Sequence, residues 1–149
     1  MPANAMPGPG GECNSLTNAA PVVDNMFVAA DMPAATGGEV VDGTYWKTAV
    51  THYTGSGGKS GPTGTREQTT LLLSCGTFQL VTESYNGASG LTQHVSGVIS
   101  AVNGDLRLQA ECGYEINGGK SPFDRYDATP DALVLYDVQD AIASTYTRQ

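Results

Sequence analysis

The side chains of this 149-residue chain best suited to catalysis or metal binding are two histidines, His52 and His94, and three cysteines, Cys13, Cys75 and Cys112. A histidine beside a serine or cysteine, with an aspartate behind it, would make an acyl-transfer nucleophile. The chain has no GxSxG elbow for such a serine. Its nearest candidate, "SYNGASG" over 84–90, reads as a hairpin and not as a strand-to-helix turn. Two histidines alone do not close a zinc site, and the cysteines show neither a CxxC pair nor any zinc spacing. Histidines in a polar wall or on the surface are the plainer account. No catalytic residue, metal ligand or cofactor is assigned.

The C-terminal third gathers Asp124, Asp127, Asp131, Asp137 and Asp140. Carboxylates can surround calcium, but "DRYDATPD" lacks the regular spacing of a calcium loop. Aspartates at turn positions explain it more simply. A carboxylate pair for glycoside hydrolysis needs a cleft that sequence does not place. The loop "TGSGGKSGPTG" brings Lys59 and Ser60 among glycines. A phosphate loop needs a helix next, whose N-terminus faces the phosphate. A strand pattern follows here, so a mobile loop at a barrel mouth is the better reading.

The net charge is −8, and only seven Lys and Arg are present, scattered from Lys47 to Arg148. No basic stripe can neutralise nucleic-acid phosphates or dock on an anionic membrane. The start "MPANAMPGPGGEC" lacks the charged and apolar regions of a signal peptide. Either the protein is cytosolic or an export signal has been removed. Cysteine usage favours the second, because one disulfide plus a spare thiol suits three cysteines better than three free thiols.

The elements that must position any site are strands. Residues 1–12 read as a flexible tether of Pro, Gly and Ala. Residues 13–41 have neither helical nor strand spacing and are expected as an irregular segment across the core. From residue 42 short apolar runs alternate with turn signals. They predict strands over 43–53, 65–74, 77–85, 91–102, 105–112, 122–129, 131–138 and 141–148. Asn86-Gly87, Asn103-Gly104 and Asn117-Gly118 are hairpin signals, since Asn-Gly supplies positive φ cheaply. Successive hairpins give an antiparallel meander, and parallel pairing is not expected without crossover segments. Closing eight strands into an up-and-down barrel would remove both exposed edges. Over 105–112, Leu106, Leu108, Ala110 and Cys112 alternate with Asp105, Arg107, Gln109 and Glu111. Over 91–102 the alternation is less clean, which fits a partly polar lumen or a bend at Gly97.

Strict alternation along 43–53 puts Tyr45 and Tyr53 on one face and Trp46 on the other. A lumen lined by phenols and aliphatics would hold a small amphipathic molecule. Tyr45, Tyr53, Val95 and Tyr136 are its candidate lining residues. The alternative is that these side chains simply fill the core.

At "GTYWKT" near the start and "STYTRQ" at the end, the chain resembles the lipocalin-like barrels. That family opens with a Gly-x-Trp motif and closes with an arginine packed over that aromatic. The resemblance implies that Arg148 covers Tyr45 or Trp46, although Tyr45 stands where the family has Trp. An alternative has Trp46 facing outward, under the N-terminal segment near Phe27. "CNSLTNAAPVV", "TGGEVVDGTY", "LVLY" and "YTR" resemble, in the same order, a group of myxobacterial lipoproteins with no assigned activity. This implies an exported protein, tethered by a lipid at a cysteine upstream of the given sequence. It also implies a Cys13–Cys112 disulfide with Cys75 free, with Cys75–Cys112 as the competing pair. The expectation is therefore an exported, non-catalytic, all-β binding module for a small apolar or amphipathic molecule. Its alternative is a surface or structural interaction protein whose barrel is filled by side chains.

Overall fold

Strand β2 (Gly43–Tyr53) starts after the Asp42-Gly43 turn and ends where the polar loop begins, and it lies at the centre of the sheet. The structure is a computed structural model that describes residues 13–86, 89–102, 104–113 and 125–149. Among these residues there is no helix. Nine strands form one curled mixed sheet, a half-barrel. The others are β1 (Val23–Val28), β3 (Gly61–Ser74), β4 (Thr77–Asn86), β5 (Ser89–Val102), β6 (Asp105–Gly113), β7 (Arg125–Thr129), β8 (Ala132–Asp137) and β9 (Ile142–Arg148).

The order across the sheet is β6-β5-β4-β3-β1-β2-β9-β8-β7, with β2 also pairing β3. The all-antiparallel eight-stranded barrel is therefore corrected in three ways. First, a ninth strand, β1, comes from the segment read as irregular. Its inward positions are Val23, Asn25 and Phe27, but the doublets Val22-Val23 and Phe27-Val28 and the polar Asn25 hide that alternation. Second, β1 runs parallel to β2, from Asn25↔Val50 to Val28↔Tyr53, and antiparallel to β3. It fills the fork where β2 and β3 separate beyond Trp46↔Thr70. The crossover that parallel pairing requires is supplied by residues 29–42, which run without a helix. Third, the edge strands β6 and β7 share no ladder among the described residues. They meet through an exposed ion pair, Arg125 Nε to Asp105 Oδ1 at 3.3 Å.

The meander itself is as expected. β3–β4, β4–β5, β5–β6, β7–β8 and β8–β9 all pair antiparallel, and the last strand lies beside β2. Cys75 and Gly76 both take positive φ, 50° and 76°, as a tight two-residue hairpin turn requires. The β4–β5 ladder ends at Asn86↔Ser89 and the β5–β6 ladder at Val102↔Asp105. Gly87, Asn103, the Asn117-Gly118 turn, residues 122–124 and the tether lie outside the described residues. Beside Gly97 the ladder is irregular, as one of the two readings of this strand had it: Ser96 pairs with Cys112 and Gly97 with Ala110, which leaves Glu111 of β6 as the extra residue of a bulge. A Cβ at Gly97 would lie 1.9 Å from the Gln109 carbonyl oxygen, so only glycine lets β6 approach there.

The inner face is layered. Leu73 faces Phe78, and Leu71, Leu80 and Val95 lie across from one another. Tyr45, Leu106, Leu108, Tyr126, Leu133, Leu135 and Tyr146 complete this apolar end of the core. The next layers along the same strands are polar, Thr69, Thr82 and Gln93, then Glu67 and Ser84 with the exposed Leu91 beside them. The half-barrel is thus apolar at one end and polar at the other.

The outer face of β3–β5 is covered by a strap, residues 13–20. Cys13 is disulfide-bonded to Cys112, and Cys75 is free and exposed. Such a bond is compatible with an extracytoplasmic setting. Asn14 Nδ2 donates to the Val95 carbonyl at 3.0 Å and to Ser96 Oγ at 2.9 Å. Thr70 Oγ1 accepts from the Ala19 and Ala20 amides, each at 3.2 Å, and donates to Asn18 Oδ1. Trp46 is half-buried on this outward side, opposite Thr70 in the ladder, whereas Phe27 faces inward against His52.

Arg148 lies beside Tyr45 in the β2–β9 ladder. Its Nε donates to the Asp42 carbonyl at 3.2 Å. Among the described residues the cations over rings are Lys47, Lys59 and Arg66, so Arg148 holds a backbone carbonyl and not an aromatic face. Arg148→Ala should therefore cost only about 0.5–1.5 kcal/mol, the worth of one such bond, in a urea titration. Arg148→Met keeps a stem over Gly43 and should lose slightly less, because the hydrogen bond alone is removed.

Candidate functional site

A bulge decides which side chains of β2 face inward. Lys47 pairs with Tyr146 and Ala49 with Thr145, leaving Thr48 extra. Tyr45 and Lys47 are buried before it and Val50 after it, so the inward phase moves from odd to even residues. Tyr53 therefore leaves the face of Tyr45. Of the four expected lining residues, Tyr45 and Val95 meet in the inner core, at 1% and 3% exposure. They pack it and line no open lumen. Tyr136 alternates with the inward Leu133 and Leu135 and so faces outward, and Tyr53 lies close to it. The expected set is split between the two faces.

On the polar inner end, Lys47 Nζ and Glu67 Oε1 are 2.7 Å apart. Glu67 Oε2 accepts from Asn25 Nδ2 at 2.9 Å, and Thr65 Oγ1 accepts from the same nitrogen at 3.0 Å. Lys47 Nζ also lies 5.4 Å from the centre of the Tyr146 ring. Burial raises the Glu67 pKa, but Lys47 and Asn25 outweigh it and hold the carboxyl below its ordinary range. Burial likewise pushes Lys47 down, and Tyr146 and Glu67 together lift it above its ordinary value. Among the described residues at this end, Asn25 Oδ1 and His52 Nε2 are buried without a hydrogen-bond partner. Above this network opens a cleft of about 420 Å³, with Asn25, Glu67, Ser84 and Leu91 among its walls. Sequence reading missed Lys47 and Glu67. Their signal was phase: Lys47 is in step with Tyr45, and Glu67 with Thr69, Leu71 and Leu73.

The second concavity is on the outer face. Residues 32–38 run across β7 and β8. Gly37 donates to the Tyr126 carbonyl and accepts from the Ala128 amide, both at 2.8 Å. Gly38 packs so close that a Cβ would lie 2.3 Å from the Ala128 oxygen. Asp127 anchors the crossing: Oδ1 accepts from the Thr36 amide and hydroxyl at 2.5 and 2.9 Å, and Oδ2 from the Tyr136 hydroxyl at 2.7 Å. Burial raises the Asp127 pKa, but these donors outweigh it and hold the carboxyl below its usual range. Burial, then Asp127, push the Tyr136 phenol far above its usual range, so it stays a donor. This crossing leaves a slot of about 470 Å³ among Met32, Ala35, Tyr136, Val138 and Ala141, with Arg125 at its rim. Val138 is half exposed within it. The "DMPAA" run supplied one wall, but nothing in its spacing announced a pocket.

No protein-family model, curated protein or solved structure matches the chain. The site must therefore be read from its own chemistry. His94 Nδ1 is held 3.0 Å from Asn14 Oδ1 beneath the strap, and His52 stands edge-on to Phe27 with ring centres 5.7 Å apart. Among the described residues no group of three His, Cys, Asp or Glu gathers as metal ligands would. Asp137 caps a turn by accepting from the Asp140 amide at 3.1 Å, the structural role expected of aspartates there.

Proposed function

We propose that this protein is a non-catalytic binding module of lipocalin-like character, which holds a small amphipathic anion in the outer slot. The observation that carries this reading is the slot itself, whose size is in the usual range for small-molecule sites. Its walls are an aromatic ring, a thioether and aliphatic carbons, which take a short alkyl chain. Arg125 is the cation at the rim. Its partner Asp105 is also exposed, and such a pair is weak, so the guanidinium can turn to a ligand carboxylate. The apolar end of the half-barrel offers no such space, because its side chains close on one another.

An exported, surface-held protein belongs to the same reading. The Cys13–Cys112 disulfide and the resemblance to myxobacterial lipoproteins support it. Cys13 is spent in the disulfide, so a lipid tether would use a cysteine upstream. The second reading is an interaction protein without a ligand, and the side-chain-filled core favours it.

Titration of the full chain with decanoate, followed by amide NMR, separates the two. Saturable shifts are expected at Ala35, Val138 and Ala141. Arg125→Gln should weaken decanoate about five- to tenfold, or roughly 1–1.4 kcal/mol, and leave decanol unchanged. Absence of saturable shifts at these amides would remove the slot and favour the ligand-free reading. A native mass spectrum of protein from its own source would show any molecule that co-purifies.

A further inference from the structure

Arg125 stands between the outer slot and the seam where the half-barrel's two edge strands meet. It pairs with Tyr136 in the β7–β8 ladder, so strand phase sends both side chains to the outer face. Asp105 alternates with the inward Leu106 and Leu108, and so faces outward from β6. The two charges thus meet on one face, across edge strands that share no ladder among the described residues. Arg125 reaches Asp105 Oδ1 through Nε at 3.3 Å. Its Nη1 lies against the β5–β6 turn, 3.9 Å from where a Cβ on Gly104 would sit. Asp105 Oδ1 is buried, yet no hydrogen bond reaches it, so the guanidinium is its charge neighbour and not an aligned donor.

A carboxylate entering the slot makes two anions share this one cation. The Asp105 contact is unaligned and half exposed, so it yields at little cost. The guanidinium that turns to the slot leaves Asp105 Oδ1 without its counter-charge. A buried carboxylate oxygen in that state must take up water, and β6 and β7 must part at this point to admit it. The reverse also holds. While Arg125 rests on Asp105 the slot lacks its cation, and apparent affinity falls by the fraction of time spent so.

We infer that Asp105 competes with the slot's ligand for Arg125, so that filling the slot releases the seam between β6 and β7. This rests on the slot being the binding site. The full chain is titrated with decanoate and with decanol, followed by amide NMR. Decanoate should move Gly104 and Leu106 along with Val138 and Ala141, whereas decanol should move only the last two. Asp105→Asn should tighten decanoate about two- to fivefold, the worth of an exposed ion pair, and leave decanol unchanged. In the Arg125→Gln protein the same substitution should change neither ligand, because the contested cation is gone. Asp140→Asn, on the turn beside the slot, controls for a mere loss of negative charge and should have little effect. If decanoate moves Val138 and Ala141 but leaves Gly104 and Leu106 still, the slot stands and the coupling falls. The coupling falls equally if Asp105→Asn weakens decanoate, or tightens it as much without Arg125 as with it. If decanoate gives no saturable shift at Val138 and Ala141, the slot itself fails and the coupling with it.

Discussion

Reducing the Cys13–Cys112 disulfide should lower the melting temperature by about 10–20 °C. The bond joins residues 99 apart in sequence, so it closes most of the described chain into one ring. In the chain-entropy account a loop of that length is worth about 4.7 kcal/mol. For a domain of this size each kcal/mol moves the midpoint by about 2–4 °C. The bond's position adds a local effect. It ties the strap to β6, an edge strand with a neighbouring ladder on one side only. Without it, the Asn14, Asn18 and Thr70 hydrogen bonds must hold the strap alone. Calorimetry of the Cys13→Ser/Cys112→Ser protein should show the same loss as reductant does on the parent. Cys75→Ser should change little, since that thiol is exposed in a turn. A fall of less than about 3 °C would mean that the reduced, unfolded chain is already compact, and that the ring constrains little.

Local turn chemistry explains how much of the fold was legible. The bounds of β2 follow from the Asp42-Gly43 turn before it and the glycine-rich loop after it, and they match to the residue. β8 and β9 were legible for the same reason. β3 begins earlier than expected, because Gly61–Gly64 read as loop yet pairs with β1. The failures are long-range. β1 is a strand because it fills a fork between two others, and no window of sequence contains that fork. The extra residue at Thr48 is decided by pairing with β9, nearly a hundred residues away, and it alone moves Tyr53 off the inner face. The slot arises where residues 32–38 cross β7 and β8, so it too is invisible to periodicity. The Cys13–Cys112 pairing came from a resemblance and not from spacing, and the structure bears it out.

Lys47→Met should cost about 3–5 kcal/mol, because it strands the Glu67 carboxylate in the half-barrel with its counter-charge gone. The Lys47 and Glu67 side chains are 9% and 21% exposed, so water replaces little of what is lost. Removing both charges is a different experiment. Lys47→Met/Glu67→Leu takes away both desolvation costs along with the attraction, and paired apolar replacements are often neutral. The double variant should recover all but about 1 kcal/mol, the remainder being the Asn25 nitrogen that loses Glu67 Oε2 and keeps Thr65. The pH profile gives an independent reading. The Glu67 pKa is lowered on folding from its ordinary 4.5, so its contribution is complete above that value and is lost as pH falls below it. Lys47 is raised from 10.5, so its contribution is complete below that value and is lost as pH rises through its higher folded pKa. Tyr146 is raised from 10.0, chiefly by burial, and weakens the fold in the same alkaline direction. Stability should therefore be level across the neutral range with an acid and an alkaline shoulder, and in the double variant both shoulders should shrink. A Lys47→Met cost below about 1 kcal/mol, together with unchanged shoulders, would show that water reaches the pair and that it behaves as a surface ion pair.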